Sequence, residues 1–130
     1  MTVLEKVNVL QRVPLFQDVR TESLARVAAL AQEVNFDARH DLFRENAAAD
    51  SMFVVIEGLV GLARDGKPGD TAGPGQVVGA HGLLSGGTQT DSASALQPTQ
   101  TLQIDQQDFF DVMAEDFNIT RGILRALLRP

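Results

Sequence analysis

The apolar positions along this chain change their period twice. Val3, Leu4, Val7 and Leu10 recur on one helix face, and Thr2 with Glu5 has the spacing of a capping box. Pro14 ends that segment, because the residue before a proline avoids helical geometry. A second helical stripe follows Thr21, with Leu24, Val27, Ala28 and Ala31 in step. From Val34 to Ile104 the pattern shortens to brief apolar runs punctuated by Gly, Pro, Asn and Asp, which predicts strands and turns. The plainest pair is Met52–Ile56 and Leu59–Ala63, joined through Gly58 and closed by Asp65-Gly66. Val77-Val78 and Thr101–Ile104 are weaker strand signals. Helical spacing then returns. Asp105 and Asp108 cap a segment carrying Phe109, Val112 and Met113. After Asn118 a last helix places Ile119, Ile123, Leu124, Leu127 and Leu128 on one side.

Helices, then many strands, then helices predict an α+β, mainly β, domain with an antiparallel core. One domain spans residues 1–130, with helices over about 2–32, strands over about 33–104 and helices over about 106–129. No repeat or linker divides it. Asp65 to Gly75, rich in Gly and Pro, reads as a mobile loop.

Composition narrows the function classes. With 44% hydrophobic and 22% charged residues the chain is of ordinary globular type. A net charge of −6 opposes direct binding to nucleic acid or to an anionic membrane surface. Absence of cysteine removes disulfides, thiolate metal sites and thiol nucleophiles. No apolar run approaches the roughly 20 residues that span a bilayer, and the start lacks the pattern of a secretory signal. A cytoplasmic location is expected.

Catalytic and metal constellations are missing. His40 and His81 stand apart with no carboxylate pattern around them, so neither is expected to ligate a metal. A cupin enzyme would need clustered histidines. Gly73-Pro74-Gly75 with Gly79 misses the dinucleotide spacing and reads as a turn. Ser85-Gly86-Gly87-Thr88 has no Ser-His-acid partners. Asn118-Ile119-Thr120 reads as a helix cap, and Arg121, Arg125 and Arg129 as a solvated helix face. The chain is not expected to be an enzyme.

Several phrases in order are similar to those of the cyclic-nucleotide-binding domain family. They are Pro14-Leu15-Phe16, Leu42-Phe43-Arg44-Glu45-Asn46, Asp50 to Gly58, Gly73-Pro74-Gly75-Gln76-Val77-Val78-Gly79, and Leu102-Gln103-Ile104-Asp105 with Asp108-Phe109. The resemblance covers nearly the whole chain and is closest to catabolite-activator-like sensor domains of bacterial type. It implies an eight-stranded jelly roll, a double-stranded β-helix, with a short phosphate-binding cassette helix inside. Family members prefer glycine where this chain has Arg39 and Asn46. Asn46 suits a left-handed turn position; Arg39 is expected only where that turn has rearranged.

The cassette departs further. The resemblance assigns to position 80, after Gly79, a glutamate that holds the ribose hydroxyl, and to position 89, or 90 if the loop shifts by one, an arginine that pairs with the cyclic phosphate. This chain has Ala80, Gln89 and Thr90 there, with Asp91 adjacent as a repulsive charge. The vestigial ligand-binding set is therefore Gly79, Ala80, His81, Gly82, Leu83, Gln89 and Thr90. A short helix from Ala80 to Leu84 would still present N–H groups toward an anion, beside His81.

These readings combine into a regulatory and sensory module of signal transduction, impaired in cyclic nucleotide binding, with no resident cofactor. One alternative is a genuine cyclic AMP or cyclic GMP sensor using substitute contacts, and a second is a purely structural protein-interaction domain. The expected partner is an effector domain attached in a longer protein, or a separate protein, with a weak homodimer through the C-terminal helix. No part of the segment is expected to insert into a membrane.

Overall fold

The computed structural model describes all residues, 1–130. Helix α1 (Val3–Leu10) opens the chain with the expected capping box: the Thr2 hydroxyl accepts from Glu5 N–H, and the Glu5 carboxylate accepts from Thr2 N–H. These hydrogen bonds from Thr2 hold the Glu5 carboxyl below its ordinary range. A 3-10 turn at Pro14–Phe16 follows, then α2 (Thr21–Leu30). Eight strands come next: β1 (Gln32–Phe36), β2 (Asp41–Phe43), β3 (Ser51–Glu57), β4 (Val60–Arg64), β5 (Lys67–Ala72), β6 (Val77–Val78), β7 (Ser92–Ala95) and β8 (Thr99–Asp105). Helix α3 (Ala80–Ser85) lies between β6 and β7, and α4 (Gln106–Glu115) and α5 (Phe117–Leu128) end the chain. One sheet runs β1-β8-β3-β6 and the other β2-β7-β4-β5, all pairs antiparallel. This is the jelly roll with helices at both ends.

Strand β3 explains why the domain has two separate cores, one between its sheet and the helices and one between the two sheets. Ser51 through Val55 are all buried, so both of its faces are covered. Strand alternation sends Met52 and Val54 one way and Phe53 and Val55 the other. The first pair joins a large cluster with Leu102, Ile104 and the helices, where Phe16 and Phe109 meet edge-to-face with ring centroids 6.2 Å apart. The second pair joins Val60, Ala72, Val78 and Ala93 inside the roll.

Four expectations are corrected here. Asp65–Gly75 is not simply a loop: it contains β5, an exposed edge strand on β4 that buries only Ala72. An edge position is where a sheet tolerates Pro68. Arg39 keeps the left-handed turn without rearrangement, at φ 74°, with its N–H donating to the Ala95 carbonyl at 2.7 Å. Its side chain is exposed, so the backbone cost of about 1–2 kcal/mol is the one that applies. Asn118 does not cap α5. Asp116 does, and the Asn118 amide oxygen accepts instead from Arg20 N–H at 3.0 Å. Partial burial raises the Asp116 carboxyl. The Ser23 hydroxyl, the N–H groups of Asn118 and Ile119 and the Arg26 guanidinium outweigh that, and hold it below the aspartate range. Last, the apolar residues of α5 do not share one side. Ile119 and Ile123 are buried, whereas Leu124, Leu127 and Leu128 are exposed.

Candidate functional site

A cavity of about 190 Å³ opens between the two sheets beside α3, lined by Phe43, Leu62, Val77 to Gly82, and Gln89 to Asp91. Its shape follows from two glycines. Gly79 precedes α3 at φ 86°, and a Cβ there would lie 3.1 Å from the Phe43 ring, the Gln89 amide and the Ser51 carbonyl. Gly82 lies inside α3 with so little room that a Cβ would meet Ala49 Cβ at 2.7 Å and the Thr88 carbonyl at 2.8 Å. The helix therefore sits hard against the segments joined by the Ala48–Thr88 bridge, and only glycine permits that approach. Its far end is tied to the helical layer, where the Gln106 amide donates to the Leu83 carbonyl at 2.9 Å.

Of the residues anticipated from the sequence, Gly79, Ala80, His81, Gly82, Gln89 and Thr90 line this one cavity. Leu83 does not. It is fully buried in the helical core with Phe109 and Ile119, because its position on α3 turns it away from the cavity. Gln89 is the buried one among the polar groups, 4% exposed. Backbone hydrogen bonds hold it on both sides: its N–H donates to the Ala47 carbonyl at 2.9 Å, and its carbonyl accepts from Asn46 N–H at 2.8 Å. Its amide nitrogen reaches only the Ser51 carbonyl, at 3.4 Å. Ala80 is half-buried and His81 is exposed.

The wall carries one carboxylate, Asp91, which accepts from the Thr90 hydroxyl at 3.3 Å and pairs with Arg64 Nε at 3.1 Å. Arg64 was missed in the sequence, where a terminal strand arginine reads as surface. The signal was present, since Val60, Leu62 and Arg64 share one parity on β4. No group of His, Cys, Asp or Glu is arranged to hold a metal ion, and no helix is long and apolar enough to cross a membrane.

Chemically, the site offers an apolar lining, a buried neutral amide and a self-paired rim. A carboxylate for a sugar hydroxyl and a free guanidinium for a phosphate are both absent from the anticipated positions. The volume falls below the roughly 300–1,000 Å³ of drug-sized ligand pockets.

Comparison with known proteins places this architecture. Over 127 residues the chain is 26% identical to a CRP-like cAMP-activated global transcriptional regulator of Mycobacterium tuberculosis, covering 94% of this chain and 57% of that protein. It is also 26% identical over 121 residues to an uncharacterized NTE family protein of Mycobacterium bovis, covering 92% of this chain and 21% of that one. Among solved structures, the N-terminal domain of a transcriptional regulator from Streptomyces coelicolor superposes with a TM-score of 0.81 at 30% identity, over 92% of this chain and 89% of that one. The chain thus spans only part of the curated relatives it matches. The family model described as cyclic nucleotide-binding domain matches residues 33–116, the interval that holds all eight strands but the first residue of β1, together with the cassette. Jelly roll, cassette and family match coincide, and this chain belongs to the cyclic nucleotide-binding domain family.

Proposed function

We propose that this domain is a regulatory module whose cavity is disarmed toward cyclic nucleotides, and that it acts by docking to an effector, attached or separate. The observation that carries the reading is Gln89, a neutral amide buried on the cavity wall where the family resemblance asks for the phosphate-binding arginine. Ala80 removes the sugar contact as well. Losing one partner of a buried charged pair costs about 2–5 kcal/mol, and each 1.4 kcal/mol is about tenfold in affinity. Cyclic AMP and cyclic GMP are therefore expected to bind no tighter than about millimolar in a calorimetric titration. A low-micromolar dissociation constant for either would sink this reading. It would promote a second one, a genuine sensor with substitute contacts, which draws on the preserved left-handed Gly79 and intact α3.

The relatives described above carry domains of this type within longer proteins, and that supports an effector partner here. Helix α5 also leaves Phe117, Leu124, Leu127 and Leu128 between 51% and 81% exposed, next to Arg121 and Arg125. Weak self-association through this face is expected, lost on Leu124→Asp or Leu127→Asp. Both side chains are exposed, so the fold is expected to survive. Light scattering on the unmodified domain that reports a monomer at high concentration would count against it.

A further inference from the structure

Arg64 is the cation that the cavity keeps at its mouth. Val60 belongs to the inner core and Leu62 packs against it and lines the cavity. Alternation along β4 places Arg64 on the same face, one step further toward the open end. The β4–β7 register runs Leu62↔Ala93 and Ala63↔Ser92, so its continuation sets Arg64 opposite Asp91. Their side chains meet there, Nε to Oδ1 at 3.1 Å, and Arg64 makes no other ion pair. Asp91 is 29% exposed and lines the cavity; Arg64 is 63% exposed and lies just outside it. The wall thus presents a carboxylate inward while its counter-charge is held at the rim.

We propose that Asp91 sets the charge selectivity of this cavity by acting as an internal competitor for Arg64. A ligand bearing a phosphate ester in the cavity competes with Asp91 for the Nε edge of the guanidinium, and the Asp91 charge repels it. The guanidinium fork suits a phosphate as well as a carboxylate, so the two compete for one donor set. An ion pair this exposed holds weakly, so it can be opened without unfolding the domain. The proposal rests on the reading of this cavity as the ligand site of the module and names the residue pair that governs which ligands it rejects.

The test is an NMR titration of the whole domain with cyclic AMP and, as a neutral probe, adenosine. Asp91→Asn is expected to tighten cyclic AMP by about tenfold, between the bulk-water and protein-surface values for one unit charge at contact distance. Adenosine affinity is expected to stay unchanged, and the gain to shrink as salt rises. Adding Arg64→Gln to Asp91→Asn is expected to abolish the gain. Equal cyclic AMP affinity in Asp91→Asn and the unmodified domain, including no detectable binding in either, overturns the proposal. So does a gain for adenosine as large as that for cyclic AMP, or a gain that survives Arg64→Gln. The ratio between variants is read independently of the absolute affinity. Micromolar binding by the unmodified domain therefore refutes the disarmed-cavity reading alone, and an unchanged ratio refutes this proposal alone.

Discussion

Substituting Ala80→Glu and Gln89→Arg together is expected to tighten cyclic AMP binding by about 100-fold or more over the unmodified domain, a gain of roughly 3 kcal/mol. The backbone of the cassette is already in place. Gly79 holds its left-handed turn, α3 follows at once, and residue 89 is fixed by hydrogen bonds to Asn46 and Ala47. Position 89 is buried and lines the cavity, so an arginine there starts from an anchor on its wall. Arginine there returns a charge-assisted, bidentate contact to a phosphate. Glutamate at position 80 returns an acceptor for a sugar hydroxyl. Gln89→Arg alone is expected to recover more than Ala80→Glu alone, because the phosphate carries the only full charge of the ligand. Calorimetry reads the affinities, and circular dichroism confirms the fold. A folded double variant without binding would mean that other side chains block the cavity, and the docking role would then stand without any ligand.

Gly58→Ala is expected to destabilise the domain by about 3 kcal/mol or more, a loss of about 10 °C or more in melting temperature for a chain of this size. Two independent costs act at this turn between β3 and β4. The residue has φ 109°, outside the range that L side chains adopt readily. A Cβ would also lie 2.5 Å from Thr99 Oγ1 and 2.7 Å from the Pro98 carbonyl and Thr99 Cα, and two of these three are backbone atoms that cannot swing away. The Thr99 hydroxyl it strikes accepts from Leu59 N–H at 3.2 Å and donates to the Gln97 carbonyl at 2.8 Å, so the clash opens a link between two turns. Gly66→Ala is the control: its φ is 76° but nothing lies within 4 Å, so only backbone strain of about 1 kcal/mol is expected. Equal melting temperatures for the two variants would show that the close approach at Gly58 contributes nothing.

What the sequence revealed and what it hid follow from one distinction. Period and punctuation report which residues are buried, and they located β3, the β3–β4 turn and the stripe of α2, because burial there is extensive. They failed at β5, where Lys67-Pro68-Gly69-Asp70-Thr71 looks like a turn and the strand exists through pairing with β4 rather than through its own apolar content. Strand β7 was also silent. Its Ser-Ala-Ser-Ala composition carries almost no hydrophobic signal, although Ala93 and Ala95 are fully buried in close quarters. Family resemblance grouped Gly79, Ala80, His81, Gly82, Gln89 and Thr90, and these six line one cavity. Leu83 entered the ligand-binding set through its place in the cassette, and its side chain turns instead into the helical cluster. Arg64 was passed over for another reason: charge at a strand end signals solvent, and its parity with Val60 and Leu62 gains meaning only once the cross-strand register brings it to Asp91.

The shared wall of β3 separates two groups of residues with different freedom to change. The helical cluster and the packing around Gly58, Gly82 and Leu83 hold the domain together, whereas Ala80, His81, Thr90 and Asp91 face the cavity and lie outside both sets of fully buried apolar residues. Randomising His81, Thr90 and Asp91 leaves both cores untouched, whereas Ala80, which packs against the helical cluster, and the buried Gln89 are varied only among residues of similar size. The domain is on that ground a scaffold for selecting new small-molecule receptors, in which recognition can be rewritten while foldability is inherited.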